Sequence, residues 1–204
     1  VLLERDSDRT VRADLSFREV SARVPVVGLC LASAQREYGG RRRGDLAAKK
    51  LRRLIQNTGA AFIEMDTSVP VEINRFGLSS GSQFEAICSR LDVMLTTRLH
   101  GMVLALKNGI PAIAIDPVAG GDKVTRQAQK LGWDEVFDAD LASDEDLAAA
   151  LERCLSQQAR EKAALIKEAA ILSLSDFDEE FALALTAPAK PELRDNLVPP
   201  DSRI

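Results

Sequence analysis

The chain has 204 residues, 46% hydrophobic and 28% charged, with a formal net charge of −4. That is the make-up of a folded globular protein with room for a substantial core, and it excludes a disordered or collagen-like chain. No apolar run approaches the roughly 20 residues that cross a bilayer, and Glu4, Arg5, Asp6 and Asp8 interrupt any leader-like apolar stretch.

Residues 1–23 carry no clear strand pattern until Ala13-Asp14-Leu15-Ser16-Phe17 and read as a solvated lead-in. Val24 to Leu31 is short, apolar and rich in β-branched residues, which predicts a buried strand. A loop with Gly39-Gly40 and three arginines at its tip follows. Asp45 is the predicted N-cap of a helix with Leu46, Leu51, Leu54 and Ile55 at helical spacing, stopped at Asn57 to Gly59. Ala60 to Met65 predicts a second strand, and 66–78 a loop. Ser79-Ser80-Gly81-Ser82 opens a helix carrying Phe84, Ile87, Cys88 and Leu91 on one face.

Asp92 to Thr96 predicts the third strand. A short helix runs from Arg98 to Lys107 and ends at Asn108-Gly109, and Ile110 to Ile115 is the fourth strand. Val124 to Leu131 is helical up to Gly132, and Val136-Phe137 is a short fifth strand. Asp144 caps a long helical region to about Leu185, broken near Ser173 to Asp176. Pro188 to Ile204 holds four prolines without periodicity and reads as a disordered tail.

Strands alternating with helices predict an α/β fold: a Rossmann-like parallel sheet over 24–187 with helices on both faces. The strands are apolar throughout, as a sheet covered on both faces requires. Ligands in such folds bind beyond the carboxyl ends of the strands.

Charge is unevenly spread. Arg36 to Arg53 holds eight cations against two acids, whereas Asp134 to Phe181 holds 14 acids against four cations. Such asymmetry fits an anionic ligand near the basic end, or a solvated helix face beside a basic loop. Aromatics at 4% are too sparse for base-stacking platforms, so nucleic acid is not an expected partner. The three cysteines, Cys30, Cys88 and Cys154, form no metal-ligand or disulfide spacing, and no Asp/Glu/His constellation suggests a metal. Reduced thiols and the missing leader point to a cytoplasmic location.

The only histidine lies in Thr96-Thr97-Arg98-Leu99-His100-Gly101, at the predicted strand-to-helix junction. With Thr97 as N-cap, Arg98, Leu99 and His100 occupy the first helical turn. Its outward N–H groups and positive dipole end favour an anion. Arg98 adds a fork of donors suited to phosphate or carboxylate. His100 can donate a hydrogen bond or move a proton. Gly101 leaves room for a ligand or a closely packed neighbour. Weaker candidates for the same anion are Lys123 after Gly120-Gly121, Arg36 after the first strand, and Ser80, which either caps its helix or offers an anion site. Arg41, Arg42 and Arg43 read as solvated or facing an acidic acceptor, and Trp133 as packing.

Residues 86–115, with Leu95-Thr-Thr-Arg-Leu-His-Gly101 and Gly109-Ile-Pro111 in order, resemble the C-terminal domain of the polysaccharide pyruvyl transferase family. The likeness is sharp over 79–133 and fair over 13–78. It implies the C-terminal half of a GT-B-like pair of Rossmann-type domains, with residues 1–23 as what is left of the interdomain connection. It further implies transfer of a pyruvyl group from phosphoenolpyruvate to a sugar hydroxyl as a ketal, with phosphate released. Phosphoenolpyruvate is then the donor substrate and no cofactor is needed. Arg98 and His100 carry the catalytic roles, as anion clamp and as phosphate ligand or general acid. Thr97, Gly101, Lys123, Arg36 and Ser80 join them in binding. The expected partners are a small-molecule donor and a saccharide acceptor, with no membrane span. The family's N-terminal domain is absent from this sequence, so a separate domain or a second copy is expected to complete the cleft. Two other readings stand beside this one: a nucleotide-sugar glycosyltransferase donor-binding domain, and a non-catalytic anion- or glycan-binding half-protein.

Overall fold

The structure, a computed structural model, describes residues 14–18, 22–32, 36–68, 74 and 76–186. The expected tail at 188–204 and most of the 1–23 lead-in lie outside the described residues. Five strands form one parallel sheet in the order β2-β1-β3-β4-β5: β1 (Val26–Cys30), β2 (Ala61–Glu64), β3 (Val93–Thr96), β4 (Ala112–Asp116) and β5 (Val136–Asp138). The order reverses between β1 and β3, and the crevice beyond their carboxyl ends is where such a sheet binds ligands.

Each crossover is a helix: α1 (Gly44–Thr58), α2 (Gly81–Cys88), α3 (Leu99–Lys107) and α4 (Lys123–Leu131), followed by α5 (Asp144–Cys154), α6 (Gln157–Leu172) and α7 (Phe177–Thr186). α1 packs with α5, while α2 and α4 pack with α3, so the sheet is sandwiched between two helical layers. In α1 the buried residues Ala47, Leu51, Leu54 and Ile55 repeat at helical spacing, and Gly59 ends the helix in the left-handed conformation at φ 63°. In α3, Met102 and Leu106 are buried between helix and sheet, worth roughly 1.5–3 kcal/mol each. The central strands are fully buried, whereas edge strand β2 leaves Phe62 and Ile63 exposed. Trp133 packs as expected, buried, with its indole N–H donating to the Ala112 carbonyl at 2.7 Å.

Several boundaries differ from the sequence reading. α1 begins after Arg43, and Asp45 is not its N-cap but lies in the first turn, where it accepts from Arg42. Ser143, not Asp144, caps α5, in a reciprocal box with Asp146. The long C-terminal helix is broken at Leu155-Ser156 as well as at Ser173–Asp176. Much of the charge asymmetry resolves into pairing: Arg43 is bonded to Asp140, Arg53 to Asp144 and Arg52 to Glu64.

The chain divides into two compact units, one ending at Glu168 and the other starting at Ala169. The second holds the end of α6, a turn, and α7, whose Phe177 and Phe181 rings stack with centroids 6.0 Å apart. Among the described residues no helix is long and apolar enough to cross a membrane.

Candidate anion site at the strand ends

The site is assembled at the end of β3. The Thr96 hydroxyl donates to the Cys30 carbonyl at 2.7 Å and accepts from the Arg98 N–H at 2.9 Å. The Thr97 N–H donates to the same carbonyl at 3.1 Å, and its hydroxyl accepts from the Ala32 N–H at 2.7 Å. Both threonines therefore tie β3 to the end of β1. That use displaces the expected cap: Thr97 is buried and does not cap α3. Arg98 stands at the N-cap in an extended conformation, without a side-chain cap, and the first turn is Leu99, His100 and Gly101. Of the two readings of Gly101, close packing is the one observed. A Cβ there would stand 2.3 Å from the Thr96 hydroxyl oxygen and 3.3 Å from the Cys30 Cβ.

Arg98 is the most constrained residue of the site. Its Nε donates to the Leu31 carbonyl at 2.9 Å and its Nη2 to the Ser68 hydroxyl at 2.7 Å. Nη2 also pairs with the Asp66 carboxylate at 3.1 Å, and both side chains are less than one-fifth exposed. A guanidinium carries five donors, so these contacts fix its orientation and partly neutralise it. An anion at Arg98 therefore shares the guanidinium with Asp66. The thiol of Cys30 lies beneath, and burial pushes its pKa up to about 11 despite the opposing pull of Arg98. It is therefore protonated and no nucleophile at neutral pH.

A second helix start converges on the same place. Asp116, wholly buried at the end of β4, accepts from the Asp122 N–H at 2.8 Å and the Thr125 N–H at 3.0 Å, and from the Thr125 hydroxyl at 2.9 Å. Its other oxygen accepts from the Val118 N–H at 3.1 Å. This carboxylate holds the first turn of α4, whose leading residue is Lys123.

Between the two helix starts lies a cavity of about 180 Å³, lined among others by Thr97, Arg98, His100, Asp116, Lys123 and Val124. His100 is exposed and faces this cavity on one side. On the other it borders a second cavity of about 310 Å³, whose wall includes Ser80. The structure thus brings Thr97, Arg98, His100 and Lys123 together and leaves Gly101 behind the wall. Ser80 is the N-cap of α2, accepting from the Gln83 N–H, and borders the second cavity and not the first. Arg36 opens a 3-10 segment, Arg36–Arg41, and its side chain lies outside the described residues.

Sequence reasoning missed Asp66, Thr67 and Asp116. Asp116 ends a strand and Asp66 and Thr67 follow one closely; polar residues at the carboxyl ends of parallel strands were the available signal. Among the described residues no group of three or more His, Cys, Asp or Glu side chains is placed to hold a metal ion.

Residues 44–117 match the family model described as polysaccharide pyruvyl transferase. That stretch runs from α1 to the end of β4 and contains Asp66, Arg98, His100 and Asp116, and the matching family is the one the sequence resembles. No curated protein matches the chain. Among solved structures it is similar to the calicheamicin glycosyltransferase CalG4, at 17% identity and TM-score 0.48 over 81% of this chain and 43% of that one. It is also similar to the glycotransferase of kitacinnamycin, at 12% identity and TM-score 0.49 over 91% of this chain and 48% of that one. A third is the spinosyn forosaminyltransferase SpnP, at 16% identity and TM-score 0.48 over 85% of this chain and 46% of that one. The chain spans less than half the length of each.

Proposed function

We propose that this chain, whose residues 44–117 carry the polysaccharide pyruvyl transferase family segment, is the donor-binding half of a pyruvyl transferase. The reaction joins two hydroxyls of a sugar to C2 of phosphoenolpyruvate as a ketal. One hydroxyl proton is matched by protonation of the methylene carbon to methyl, the other leaves with phosphate, and the C2–O bond to phosphate breaks. A donor of this kind is a compact, highly charged anion.

The observation that carries the reading is the cavity shared by Arg98, His100 and Lys123 between two helix starts. At about 180 Å³ it has room for a compact anion such as phosphoenolpyruvate. Lys123 and the α3 and α4 helix starts stabilise the phosphate, and Arg98, oriented by Asp66, stabilises the carboxylate or phosphate. Exposed at the rim, His100 serves as phosphate ligand or as the acid that protonates the methylene carbon. An N-terminal GT-B-like domain, or a second copy, supplies the facing wall, and the saccharide acceptor enters between them.

Calorimetry tests this with phosphoenolpyruvate and uridine diphosphate glucose titrated separately into the chain. Phosphoenolpyruvate binding that weakens more than about tenfold in His100→Ala and in Arg98→Ala is the expected result. Because His100 is exposed, its removal leaves the fold intact. Preference for the nucleotide sugar refutes the reading, and binding of neither refutes it in favour of a non-catalytic half-protein.

A further inference from the structure

The second cavity at His100 has a chemistry distinct from the first. Its floor is apolar, made by Leu78, Phe84 and Leu104, and its rim is polar, with Asp66, Ser80 and His100. Neither lysine nor arginine lines it, whereas Arg98 and Lys123 line the first cavity. Its one acid, Asp66, is already paired with Arg98 at 3.1 Å. A second anion therefore finds no counter-charge there, while the rim sets hydrogen-bonding groups beside the apolar floor.

The volume, about 310 Å³, lies in the range of small-molecule sites with an apolar body and a few placed polar groups. A pyranose matches this wall: a face of C–H groups for the leucines and phenylalanine, and a ring of hydroxyls for the carboxylate, hydroxyl and imidazole. Leu104 stands one helical turn beyond His100 on α3, so the two project from the same side. Thr67 and His100 border both cavities and form the partition between them.

We propose that this second cavity is a neutral-sugar subsite on the chain itself, holding the acceptor residue with a hydroxyl toward His100. Calling the sugar the acceptor rests on the donor reading above; the binding of a sugar does not. The partition then places the imidazole where it borders both the anion and the hydroxyl that replaces phosphate.

The lone histidine is also the reporter, because the labelled chain gives one imidazole signal in NMR. Phosphoenolpyruvate and methyl β-D-galactopyranoside are titrated separately, the galactoside to about 50 mM, above the millimolar dissociation constants of weak contacts. Each is expected to move the His100 signal. Two variants fill the second cavity: Leu104→Trp, and Gly81→Trp at an exposed position where an added Cβ meets nothing within 4 Å. In either, the galactoside shift is expected to disappear while the phosphoenolpyruvate shift remains. A galactoside that leaves the wild-type signal in place, or moves it equally in a folded filled variant, overturns the subsite. If the galactoside acts and phosphoenolpyruvate does not, the sugar site stands and the donor reading fails.

Discussion

Asp116 is the residue whose loss should cost the fold most at the site. The wholly buried carboxylate takes hydrogen bonds at 3.1, 2.8, 3.0 and 2.9 Å from three backbone N–H groups and one hydroxyl. Hydrogen bonds to a charged group contribute about 1.5–3 kcal/mol each, but these share one acceptor group and do not add. Removing one partner of a buried charged network costs roughly 3–5 kcal/mol. For a domain of this size each kcal/mol shifts Tm by about 2–4 °C, so Asp116→Ala should lower it by about 6–20 °C. Asp116→Asn keeps one acceptor oxygen but can turn an amide toward the α4 donors, and should fall between wild type and alanine. Thermal unfolding followed by circular dichroism reads both. A shift below about 2 °C for alanine would show that the start of α4 is held by something else.

Cys30, Cys88 and Cys154 are buried, with thiol pKa values pushed up to about 11, 12 and 12. A thiol reagent at neutral pH should therefore label none in the native protein and all three in denaturant; rapid native labelling would contradict the burial. Glu85 on α2 takes Lys107 at 2.8 Å and Asn108 at 3.2 Å, and chiefly the Lys107 hydrogen bond holds its pKa below the usual glutamate value. A lowered folded-state pKa stabilises above the unfolded value and is lost as pH falls through the folded one. Glu85→Gln should thus lower Tm at pH 7 by no more than about 2–4 °C, since a partly exposed pair contributes up to about 1 kcal/mol. The difference should shrink as pH falls below the usual glutamate value, and an undiminished one would exclude this cause.

Much of the sheet was legible in the sequence because β1, β3 and β4 are apolar on both faces and punctuated by Gly59, Asn108-Gly109 and Gly132. The start of α3 was misplaced by one residue for a tertiary reason. Local rules make Thr97 a good cap, but its hydroxyl is spent on Ala32, 65 residues away. The Arg98–Asp66 pair spans a separation that no periodicity encodes. Arg98, His100 and Lys123, which line one cavity, could nonetheless be singled out from the sequence, since each stands at or just past the start of a helix that follows a strand. Asp116 was passed over as the first residue after an apolar strand, although the hydrogen bonds its buried carboxylate accepts are what set the α4 turn.

A crystal structure of the chain with phosphoenolpyruvate tests the account most directly. The account predicts the phosphate between the starts of α3 and α4, within hydrogen-bond reach of Lys123 and His100, with Arg98 still held by Asp66. A donor bound away from this cavity, or phosphate density that makes no contact with His100 or Lys123, would contradict it.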